Sequence, residues 1–189
     1  MDETGRTAGV TAAEVRESDG WLIEWLRAEA VMKPPRPGWA YGSVSALLLA
    51  HGRLFTPAPW PDGGPPPGEP GKCFIESVQY ARDSAGGLAY VEGWAWDIAY
   101  PVEHAWCSTG AGVVRDLTWP RPGTAYLGLA LDGSAAASLM SRHGLAIVHG
   151  PDGFVSSIGA SWMRDDVPPG LLLDIGRPIP APALPDCGP

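Results

Sequence analysis

Apolar positions recur at helical spacing in the first half of the chain and shift to strand-like runs in the second. Trp21, Leu22, Trp25, Leu26 and Met32 fall near one face of a helix over residues 20–32, with Ser18 or Asp19 as its cap. Residues 1–17 show no strong period and are expected to form a flexible N-terminus. Lys33-Pro34-Pro35-Arg36-Pro37-Gly38 ends that helix, because proline cannot continue it. Ser43 then caps a second helix over 44–52, with Val44, Leu47, Leu48 and His51 on one side. His51 falls in its last turn, where the helix dipole favours it. Leu54-Phe55-Thr56-Pro57 is short and apolar and reads as an anchor before a loop.

That loop, PDGGPPPGEPGK over 61–72, is the clearest break in the chain and reads as a surface loop bordering a site. From Cys73 the pattern is helical again. Phe74, Ile75, Val78, Ala81 and Ala85 form the expected buried stripe, which puts Cys73 with Glu76, Ser77 and Tyr80 on the polar side. Gly86-Gly87 ends the helix. LAYVEGWAW over 88–96 has strand character. Residues 102–108 and 112–117 read as a hairpin around a turn at 109–111. A strand is expected over 124–131, a helix over 134–143 and a strand over 145–148. Residues 156–163 fit a strand or a short helix, and 167–189 form an extended proline-rich tail. Helices followed by a run of antiparallel strands define an α+β class, with a single domain over 18–166.

Composition narrows the functional classes. The 189 residues carry a net charge of −8 with no basic run, which disfavours nucleic acid and anionic membrane as partners. No run of apolar residues is long enough to span a bilayer, and the acidic N-terminus lacks a secretory pattern. Three widely spaced cysteines do not make a disulfide framework, so a reducing cytoplasm is the expected location. No glycine-rich loop follows a strand, so the chain lacks a nucleotide-binding fingerprint. No cofactor is expected. No Cys-x-x-Cys or His-x-x-x-His spacing supports a metal.

The candidate chemistry is nucleophilic. Cys73 opens a helix after a Pro/Gly-rich loop, where unpaired N–H groups and the dipole favour a thiolate, and Lys72 adds positive charge. A hairpin centred on Gly110 sets His104 opposite Asp116, within reach of a hydrogen bond. A carboxylate that orients a histidine leaves the other ring nitrogen free to take the thiol proton. Cys73, His104 and Asp116 are therefore the expected catalytic residues. Pairing of the 88–96 strand with the His104 strand would set Trp94 opposite His104 and Glu92 opposite Trp106. Glu92, Trp94 and Trp106 are accordingly expected to line the substrate floor. Cys107 and Cys187 read as inert, and His143 and His149 as turn-flanking residues.

The order Cys, His, Asp, with the cysteine on a helix and the other two on adjacent strands, resembles the papain-like cysteine hydrolase superfamily, and its transglutaminase-like branches most in spacing. GKCFIESVQYA, YVEGWA, PVEHAWC, VVRDLTW and GTAYLGL further resemble a group of small bacterial and phage proteins, over residues 41–131. The resemblance implies Cys73 as nucleophile, His104 as base and Asp116 as orienter. Ser77 stands where such proteins often carry Asn. The expected function is a cysteine-dependent hydrolase or acyl transferase acting on an amide, ester or thioester of a small-molecule or peptide substrate. The alternative is a non-catalytic papain-like interaction or regulatory module.

Overall fold

The computed structural model describes residues 10–61, 68–97, 99–144, 146–150 and 154–181. Among these residues, helices α1 (Ala12–Met32), α2 (Val44–His51) and α3 (Cys73–Asp83) alternate with strand β1 (Arg53–Phe55). Strands β2 (Ala89–Asp97), β3 (Tyr100–Ser108), β4 (Val114–Arg115) and β5 (Ala125–Asp132) follow, then α4 (Gly133–His143) and α5 (Ser157–Asp165). The fold is α+β.

The strands form one antiparallel sheet in the order β1-β5-β2-β3-β4. The sheet curls until its ends meet. Thr56, just past β1, bridges Val113 in parallel, with Thr56 N–H donating to Gly112 at 2.9 Å and Val114 N–H to Thr56 at 2.9 Å. The inward-facing positions form a small core of Phe55, Val91, Ala95, Trp106, Tyr126 and Ala130. The outward-facing positions, among them Tyr90, Ala105, Cys107, Leu127, Leu129 and Leu131, join a larger core with the helices. Leu22 and Leu26 of α1, Leu47 and Leu48 of α2 and Val78 of α3 pack there. Burial on both faces explains why β5 reads as an almost unbroken apolar run. Each fully buried leucine contributes about 1.5–3 kcal/mol.

Gly93 and Gly128 face each other on the inner surface of β2 and β5. A Cβ at Gly93 would lie 2.1 Å from the Leu127 carbonyl, and one at Gly128 2.9 Å from the Trp106 ring. These two residues let the curled strands and the Trp106 indole approach closely.

Several expectations need correction. Helix α1 starts at Ala12, not at residue 20. Thr11 caps it and forms a reciprocal capping box with Glu14, so residues 12–17 are helical rather than flexible. Ser18 and Asp19, the expected caps, are buried inside the helix. Leu54-Phe55 anchors the chain as part of strand β1. The 145–148 strand is absent among its described residues; His149 instead bridges Val155. Residues 157–165 resolve to a helix, capped by Ser156. In its described part the tail is tied down. Leu54 exchanges backbone bonds with Arg177 at 2.8 and 2.7 Å, and Arg177 Nη2 donates to Asp19 at 2.7 Å.

The buried face of α3 is also rotated from the expected stripe. Cys73, Ser77, Val78 and Ala81 are buried, while Phe74 and Ile75 are half-buried and Ala85 is exposed. The small side chains let the helix approach β3. Ser77 Oγ donates to the Ala105 carbonyl at 3.1 Å, and Cys107 Sγ donates to the Ser77 carbonyl at 3.2 Å.

Candidate active site

His104 points to the inner face of the curled sheet from β3, with Gly93 as its neighbour on β2. It is 1% exposed. Its Nε2 lies 2.7 Å from Asp116 Oδ2. An ionised carboxylate only accepts, so Nε2 carries the proton and Nδ1 is the nitrogen left for another partner.

Asp116 reaches this position by a different route from the one the hairpin predicts. The observed pairs are Cys107 with Arg115 and Ser108 with Val114. Continued along the strands, that register would set Thr118, not Asp116, opposite His104. The ladder stops at Arg115, however, and the chain turns. Asp116 Oδ1 accepts from the backbone N–H of Thr118 at 3.1 Å and of Trp119 at 3.2 Å. This local side-chain turn swings Oδ2 back to His104. Tyr126 O–H donates to the same oxygen at 3.0 Å. Asp116 is 6% exposed, and its donors offset the cost of burying the carboxylate.

The imidazole is held in plane as well as by its proton. The Trp119 ring stacks on it at 4.2 Å between centroids and 22° between planes. The Trp106 ring lies 6.2 Å away at 23°. A cavity of about 110 Å³ borders the Asp116 side, between Trp60, Trp119 and Pro122.

Cys73 completes the group. It is the first residue of α3 and 8% exposed. Together with Asp116, its side chain favours the charged form of the His104 ring. Burial works against a charged imidazole at this depth, but the hydrogen bonds and charges of Asp116 and Cys73 outweigh it and hold the His104 pKa up to about 9. The N-cap residue Lys72 makes no side-chain cap, so the first N–H groups of α3 lack that partner. Lys72 does not turn its charge to the sulfur as expected. Its Nζ pairs with Glu69 at 2.6 Å, which raises its own pKa.

The structure thus brings Cys73, His104 and Asp116 together and separates the expected floor residues. β2 pairs with β3 one residue out of the expected register: Gly93 faces His104, Trp94 faces Glu103, Glu92 faces Ala105 and Val91 faces Trp106. A slip of one residue reverses every side chain. Glu92 and Trp94 therefore point to the helix side of the sheet. Trp94 packs on Trp25 of α1 at 4.6 Å. Trp106 shares the His104 face but is completely buried behind the ring, against Phe55 and Tyr126.

Glu92 has a different set of partners. It is fully buried, and it accepts from the N–H groups of Ile147, Val148 and His149 at 2.8, 2.7 and 2.7 Å. Tyr90 O–H donates at 2.8 Å and the His149 ring lies 3.1 Å away. Burial disfavours its charge, yet the His149 ring and these N–H groups hold its carboxyl below the usual range. Glu92 pins the 147–149 segment to the sheet. His149 is the partner sequence reasoning passed over; only its place beside Gly150 marked it. The sulfur of Cys107 is sealed in the core, and burial pushes its thiol well up. Cys187 lies outside the described residues.

No protein-family model, no curated protein and no solved structure matches the chain. Among the described residues, no group of three or more His, Cys, Asp or Glu is placed to hold a metal ion. Among the same residues no helix is long and apolar enough to cross a membrane.

Proposed function

We propose that this protein is a cysteine-dependent hydrolase or acyl transferase of papain-like or transglutaminase-like type, acting on an amide, ester or thioester. One observation carries the reading: His104 is fixed by Asp116 through Nε2 while its ring also engages Cys73, the first residue of a helix. His104 Nδ1 takes the Cys73 thiol proton as Sγ attacks the carbonyl carbon, and a C–S bond forms while the C=O π bond opens to an oxyanion. The backbone N–H groups at the start of α3 face the developing oxyanion. His104 Nδ1 gives its proton to the leaving nitrogen, oxygen or sulfur as the bond to it breaks. The neutral ring then takes a proton from water or an amine, which displaces the thiol and regenerates Cys73. Asp116 stays ionised and holds the ring.

A second reading, a non-catalytic interaction module, draws on the closure of the site, since Cys73 is 8% and His104 1% exposed. Alkylation separates the two. The folded protein is treated with iodoacetamide at near-neutral pH and the label is mapped by mass spectrometry. Fast, selective labelling of Cys73 that is lost in His104→Ala supports the enzyme. Equal slow labelling of all cysteines, or none, favours the module.

A further inference from the structure

An open aromatic concavity lies between α1 and the far end of β2. It has a volume of about 530 Å³ and is lined by Trp21, Glu24, Trp25, Trp96 and Ala99. Trp21 is 45% exposed, and its ring packs against Trp96 at 6.0 Å. Trp25 and Trp96 are half-buried against the core, while Trp21 presents a large apolar ring to the surface. Glu24 shares the wall and makes no hydrogen bond or ion pair among the described residues. Among the described residues no cationic side chain lines the pocket.

We infer that this pocket binds a lysine or arginine side chain of a polypeptide, held over the indole faces and neutralised by Glu24. Tryptophan is the best aromatic partner for a cation, within about 6 Å of the ring. The carboxylate argues against a purely apolar occupant, which would bury it without a counter-charge. The net charge of −8 argues against a second copy of the same acidic chain.

The test uses the full chain labelled with fluorotryptophan and followed by fluorine NMR. Resonances are assigned by single Trp→Phe variants. Nα-acetyl-lysine amide and Nα-acetyl-arginine amide are titrated against Nα-acetyl-norleucine amide, which is neutral, and choline, whose ammonium has no N–H to donate to Glu24. The Trp21 and Trp96 resonances are expected to move saturably with the two basic amides. Norleucine amide should leave them in place, and choline should bind more weakly than the lysine amide. Glu24→Gln should weaken the lysine amide by about two- to fivefold, the scale of an exposed ion pair. Trp21→Ala, at a half-exposed site, should abolish the response while the remaining resonances hold their positions and report an intact fold. Equal response to norleucine amide, unchanged affinity in Glu24→Gln, or tighter binding of choline would each overturn the assignment. Cys73 takes no part in this measurement, so its outcome is independent of the proposed chemistry.

Discussion

Replacing Asp116 with Asn tests the centre of the site with almost no change in shape. The Asn side-chain oxygen can still accept from the Thr118 and Trp119 N–H groups that Oδ1 now serves. Its amide then faces His104 Nε2 and the Tyr126 hydroxyl, both of which donate to Oδ2. Donor meets donor. The imidazole must move its proton to Nδ1, the side of Cys73, or lose the contact. His104 now sits at about 9 against an ordinary 6.5, and burial alone would have driven it the other way. At about 1.4 kcal/mol per pH unit, that rise represents roughly 3 kcal/mol favouring the charged ring. Without the carboxylate only Cys73 opposes burial, and the midpoint should fall well below 9. The sign for stability follows from the raised value. The contribution is fully present below the unfolded midpoint of 6.5 and is lost as pH rises through about 9. Wild type should therefore lose roughly 3 kcal/mol across that window from this group, and Asp116→Asn should lose less there. Histidine ring resonances followed by NMR across the pH range give the midpoint, and urea melts give the stability. A His104 midpoint that stays near 9 in Asp116→Asn, or that lies near 6.5 in wild type, refutes the reasoning.

Glu92→Gln should destabilise the fold by about 2–4 kcal/mol, because its amide would face backbone donors that now bond a carboxylate; a thermal melt within error of wild type would contradict this. The Glu92 pKa is lowered, so its own contribution is present above the unfolded carboxyl value and lost as pH falls through the lower folded one. Gly93→Ala should split β2 from β5, since the added methyl meets the Leu127 carbonyl at 2.1 Å; the measurement is loss of cooperative unfolding or of soluble protein. Ser77→Ala should cost about 1 kcal/mol through the lost bond to Ala105, while leaving Cys107 buried and slow to alkylate.

The elements that were legible in the sequence are those whose ends are marked locally. Ser43 caps α2, and the Pro/Gly-rich run before Cys73 sets the start of α3. The α1 start was missed because Thr11 and Glu14 form a capping box ahead of any apolar period. Registers were legible only to within one residue, and one residue is decisive. Asp97 pairs with Tyr100, which puts Gly93 rather than Trp94 opposite His104. The pairing of His104 with Asp116 was anticipated, but through a ladder that the chain does not build. The contact depends instead on a side-chain turn after β4 and on the Tyr126 hydroxyl from β5, neither of which hydrophobic alternation encodes. The rotated face of α3 has a similar origin. A serine that bonds a strand carbonyl is an interior residue, although its hydroxyl makes it read as surface.

The closure of the sheet bears on how a substrate chain could be held. An open sheet offers its outer strand as a template on which a peptide can lie and extend the ladder. Here the outermost strands are already engaged. Thr56 meets Val113, and the far side of β1 is occupied by Arg177. Backbone-to-backbone annealing, the least discriminating way to grip a polypeptide, has no vacant rail at Leu54 or Val114.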